Sequence, residues 1–66
     1  MSYDEEADVL SLIISEDGEH SHAEEAGDLV IHFSKDGKPL FIEILRASKI
    51  IPLMVEALAK KESVVT

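Results

Sequence analysis

The chain has no cysteine and no tryptophan, and its 66 residues include only three glycines, two prolines and three aromatics. Without cysteine there is no disulfide and no thiolate metal site, so apolar burial, a ligand or association must hold the fold. Association is the expected route, because the chain is near the lower size limit for folding unaided. Basic residues are scarce too, six against fourteen acidic, and the net charge is −8. Such a field repels phosphate backbones, which sets nucleic acid aside and favours a basic protein partner. No apolar run approaches the roughly 18 residues of a membrane span. The opening stretch, Met-Ser-Tyr-Asp-Glu-Glu, lacks the basic region that begins a secretory signal. The expectation is a cytoplasmic protein without a membrane partner.

What is present centres on Asp28 to Leu45, two apolar-rich runs either side of Asp36-Gly37. Asp-Gly between β-rich runs predicts a two-residue type I′ hairpin loop, since both loop positions need positive φ. That loop sets Lys35 against Lys38, Phe33 against Leu40, Ile31 against Ile42 and Leu29 against Ile44, which makes one face wholly apolar. The other face is mixed: it pairs Ser34 with Pro39, His32 with Phe41, Val30 with Glu43 and Asp28 with Leu45. A slip of one residue would scramble the apolar face. Pro39, lacking an N–H, is expected at the turn-proximal end or on an edge.

Upstream, Tyr3 to Asp8 reads as a brief extended start and a tight acidic turn, and Val9 to Ile14 as a strand with Leu10, Leu12 and Ile14 on its core side. Ser15-Glu16-Asp17-Gly18 is turn chemistry, and Glu19 to Glu25 is polar enough for an edge strand or a loop. After Leu45 the period becomes helical, with Ser48 as N-cap, Pro52 taken to lie in the first turn, and Ile50, Met54, Ala57 and Leu58 along one side. The fold class is therefore α+β: a single domain over residues 1–66 with an antiparallel sheet of three to four strands built from hairpins. Its strands are expected near 8–15, 28–35 and 38–45, its helix near 48–61 packed on one sheet face, and its tail over 62–66. One helix cannot shield both sheet faces. Val9, Ile13, Val30, His32 and Phe41 on the uncovered face, with Leu53 outside the main helical stripe, are thus expected at the interface of a homodimer or larger homo-oligomer.

Tyr3-Asp4-Glu5-Glu6-Ala7-Asp8-Val9-Leu10, then Asp36-Gly37, then Ile42-Glu43-Ile44-Leu45 and Ala47-Ser48 form a pattern that resembles the domain of unknown function 2283 family, small uncharacterised prokaryotic proteins. The resemblance runs from Tyr3 to about Lys49. It implies a compact antiparallel sheet domain and no established activity. Some members look like the acidic half of gene pairs whose other product resembles a ribonuclease-type toxin, which implies an antitoxin-like role. The family often has an aromatic at the place of Ser11, an acid at that of His32 and a glycine at that of Phe41. The last two departures fall opposite each other in the predicted register.

No phosphate loop, nucleophile elbow, dinucleotide fingerprint or HExxH occurs, so no catalytic residue, cofactor or enzyme activity is expected. The alternative is metal or small-ligand binding by His20, His22 or His32 with nearby carboxylates. At two-residue spacing in a strand His20 and His22 would share a side, but a metal needs at least a third fixed ligand. Asp4, Glu5, Glu6 and Asp8 lack the loop of an EF-hand and read as turn formers. Glu43, inside an apolar strand, needs a partner, with Lys35, Lys38, Arg46 or a group across an interface as candidates.

Overall fold

The computed structural model describes residues 1–65, and side chains over residues 1–60. Five strands, β1 Ser2–Asp4, β2 Val9–Ile13, β3 His20–Ala26, β4 Leu29–Ser34 and β5 Pro39–Leu45, precede one helix, α1 Ala47–Val65. The fold is α+β, with one strand more than the upper expectation: β1 adds a short edge strand, and the polar segment around Glu19 to Glu25 is β3, the opposite edge. The order β1-β2-β5-β4-β3 is antiparallel throughout, so β5 lies between β2 and β4 at the centre of the sheet. That position suits the most apolar strand, since both of its edges are paired and neither is open to another chain.

The hairpin register holds at four pairs, Leu29 with Ile44, Val30 with Glu43, Ile31 with Ile42 and His32 with Phe41, and changes next to the turn, where Phe33 faces Pro39. The Ser34 carbonyl accepts from Gly37 N at 3.0 Å, and Ser34 N donates to the Lys38 carbonyl at 2.9 Å. The loop is therefore three residues, Lys35 to Gly37, and not a type I′ pair. Only Gly37 takes positive φ (81°), while Asp36 stays in the ordinary region. One extra residue in the loop would shift the whole register, and a bulge at Leu40 takes it up. Leu40 is buried, and its carbonyl accepts from both Ile14 N and Ser15 N, at 2.8 and 3.0 Å. This ties the segment after β2 across the turn end of the hairpin. Gly18 must be glycine there, because its φ is 108° and an added Cβ would lie 3.1 Å from Ser34 Cβ.

Alternation then divides the side chains between two faces. An aliphatic face holds Leu10, Leu12, Leu29, Ile31, Ile42 and Ile44, and the opposite, histidine face holds Val9, Ser11, Ile13, Val30, His32, Phe41 and Glu43.

The helix does not lie across the aliphatic face. Ile50 and Ile51 are half-buried, every residue from Pro52 to Lys60 is exposed, and only the start of α1 approaches β5. Pro52 is the sixth helical residue, beyond the first turn, and the expected tail at 62–65 continues the helix, Thr66 lying outside the described residues. Consequently Leu40, Ile44 and Ala47 are the buried apolar residues among those described.

Candidate interaction surfaces

Three constructions stand out: the histidine face, the base of the helix, and the aliphatic face with the helix that leaves it open. On the histidine face, a bulge in β3 between His20 and His22 breaks the alternation that would have put both on one side. His22 stacks on Phe33, with centroids 5.2 Å apart and rings 16° from parallel, whereas His20 turns to His32. The two histidines read as sharing a side thus lie on opposite faces, and no group of three or more potential ligands is gathered among the described residues.

His20 instead begins a chain. Its Nε2 lies 2.8 Å from His32 Nδ1, and His32 Nε2 lies 2.5 Å from Glu43 Oε1. An ionised carboxylate only accepts, so His32 carries its proton on Nε2 and donates to Glu43. With both imidazoles neutral, His32 Nδ1 must accept from the Nε2–H of His20, and the lone pair of His20 is left on Nδ1. Phe41 backs the chain: its ring stacks on His32 at 4.0 Å and 11°. Glu43 therefore finds its partner diagonally across the β4–β5 pair in His32, not in Lys35, Lys38 or Arg46. No hydroxyl is hydrogen-bonded to either imidazole of the chain among the described residues.

At the helix base, Arg46 takes φ 49° and its guanidinium forks onto Asp28, Nε–Oδ1 at 3.0 Å and Nη2–Oδ2 at 2.6 Å. Asp8, itself at φ 56°, caps α1 from 40 positions away. Its main-chain carbonyl accepts from Ala47 N at 2.9 Å, and its carboxylate accepts from Ser48 N at 3.0 Å, Ser48 Oγ at 2.7 Å and the Tyr3 hydroxyl at 2.6 Å. Ser48 is thus the capped residue and not the cap. These bonds hold the Asp8 carboxyl below the ordinary range, Ser48 contributing most and Tyr3 next, and the same bond pushes the Tyr3 phenol up. The hydrogen bonds of Arg46 lower Asp28 in the same sense. Asp8 was legible in sequence only as a turn former, because nothing local shows that a turn will meet a helix so far along the chain.

Beside this base an apolar groove of about 370 Å³ opens between α1 and the β1–β2 edge, lined by Tyr3, Leu10, Ala47, Ser48, Ile51 and Pro52. Tyr3 pairs with Leu10, so the groove lies at the margin of the aliphatic face. Of the residues expected at an interface, Val9, Ile13, Val30, His32 and Phe41 share the histidine face, where Ile13 is 62% exposed. Leu53 is on the exposed part of the helix and apart from them. Leu58, Val55 and Met54 are exposed beside it, although sequence reading places Met54 and Leu58 on the side packed against the chain's own sheet.

No helix among the described residues is long and apolar enough to cross a membrane. No curated protein and no solved structure matches the chain. Residues 1–48 match the family described as protein of unknown function (DUF2283), a span that takes in the whole sheet, Asp8, Asp28, Arg46 and Ser48. The chain belongs to that family.

Proposed function

We propose that this protein is a non-enzymatic, self-associating interaction module whose working form is a homodimer or larger homo-oligomer, and whose acidic surface receives a basic protein partner in an antitoxin-like manner. The observation that carries self-association is surface. The chain exposes 5149 Å², against about 4,200 Å² for a folded monomer of its mass. Exposed apolar side chains of the helix, Leu53, Val55 and Leu58 among them, contribute to that excess, and such a surface is what a second copy would cover. The charge of −8 supports a basic partner. Sedimentation velocity across a concentration series tests the reading. A dimer or larger species that persists at micromolar chain supports it, and a monomer at every concentration overturns it.

A second reading, metal or small-ligand binding on the histidine face, is favoured by the β3 bulge that brings His20 to His32. The carboxylate on the far nitrogen of His32 is the outer partner that metal-bound imidazoles usually have. Zinc titration followed through the three histidine ring resonances decides it: His20 and His32 move together at stoichiometric metal if the site binds, and none moves if it does not.

A further inference from the structure

We infer that two copies exchange helices, each laying the exposed part of its α1 across the open aliphatic face of the other, with the groove at the helix base as one end of the seat. The inference rests on self-association and names the surfaces and the segment that carry it.

The helix base is anchored, so a chain is not free to cover its own face. The path from β5 into α1 is set by left-handed backbone at Arg46, by the Arg46–Asp28 fork and by the Asp8 cap on Ala47 and Ser48. Ala47, at the pivot, is 1% exposed. Swinging α1 back over its own sheet would break these contacts together. The radius of gyration, 13.8 Å, records the result against about 11 Å for a compact domain of this length.

What the helix carries fits a site with two walls. At 100° per residue, Leu53, Ala57, Ile50, Met54, Leu58, Ile51 and Val55 spread over about 200° of circumference, which exceeds the stripe that one sheet face needs. A helix placed on a partner's sheet and beside the partner's own helix would bury such an arc. Charge disfavours the pairing of sheet on sheet. Residues 1–46 hold twelve acids and three basic residues, whereas residues 47–66 hold two acids and three lysines. Sheet on sheet would set strong negative charge against strong negative charge, which helix on sheet avoids; helix on helix avoids it too but leaves the aliphatic face of each copy open.

The test mixes isotope-labelled and unlabelled full-length chains and reads filtered nuclear Overhauser contacts between them, beside the sedimentation of two variants. Leu58 and Ile13 are both exposed, 66% and 62%, so neither change should unfold the chain by itself. Intermolecular contacts are expected from Met54 and Leu58 to Leu12, Ile31 and Ile42. Leu58→Glu should weaken self-association by about tenfold or more, the loss expected for a buried leucine, and Ile13→Glu should leave it unchanged. If wild-type chains dimerise but their contacts join Ile13, Val30 and Phe41, and Ile13→Glu dissociates them, helix exchange is overturned while self-association stands. Monomers at every concentration overturn both.

Discussion

Glu43 and His32 show how one side chain can decide the worth of another. Glu43 lies in the central strand with its side chain 32% exposed, and His32 is 17% exposed. The hydrogen bond between them therefore compensates two groups that have lost much of their water. His32→Ala removes the donor and leaves the carboxylate with little to replace it; the expected loss is about 1–3 kcal/mol, read as a lower urea midpoint. His32→Gln keeps a donor and should recover part of that loss. A midpoint unchanged in His32→Ala would show that water serves Glu43 equally well. At Gly18 the constraint is steric, since a β-carbon would meet Ser34 Cβ at 3.1 Å and φ is 108°. Gly18→Ala should cost about 1–3 kcal/mol, whereas at Gly27, where an added Cβ meets nothing within 4 Å, only the backbone preference is lost. Equal urea midpoints for the two alanine variants would refute the close approach.

At the scale of elements, the base of the helix is held to the sheet by carboxylates as well as by the packing of Ala47. Asp8 and Asp28 are both lowered in the folded chain, so it binds fewer protons than the unfolded chain across the carboxylate range. Their stabilising effect is complete above the ordinary carboxylate values and is lost as pH falls through the lower folded ones. Protection factors at Ala47 and Ser48, corrected for the pH dependence of intrinsic amide exchange, should accordingly fall on acidification before those in β4 and β5 do. Asp8→Asn is the informative variant: asparagine tolerates left-handed φ, so it removes the charge and keeps the backbone. It should weaken protection at Ser48 at neutral pH and flatten the acid dependence. Protection that falls in the wild type and Asp8→Asn along the same pH curve would assign the effect elsewhere. The strands at Val9, Leu29 and Pro39 were legible in sequence because alternation and turn residues are local signals. So was the central register, since a slip of one residue sets Leu29 against Glu43 and scrambles the apolar face. The Leu40 bulge, the β3 bulge that parts His20 from His22, and the Asp8 cap were not legible, because each answers a demand made by a distant segment. The direction of α1 was not legible for the same reason: its apolar arc announces burial without saying against which surface.

For the whole molecule, two electrostatic consequences pull apart. Every copy carries −8, so two copies repel at long range, and an interface held by apolar side chains has to overcome that repulsion. Added salt screens it within a few ångströms of the surface and leaves apolar burial intact. Self-association should therefore hold constant or tighten slightly between low salt and about 0.5 M, measured by sedimentation equilibrium. A basic partner drawn by the same charge should behave in the opposite way, its association rate falling steeply over that range. An oligolysine peptide supplies the probe, and stopped-flow mixing gives the rate. A self-associated species that dissociates in salt would mean that ion pairs such as Lys49 or Lys60 with a neighbour's acids hold the copies together. If salt slows peptide binding while the assembly persists, charge draws the basic partner and apolar burial holds the copies together.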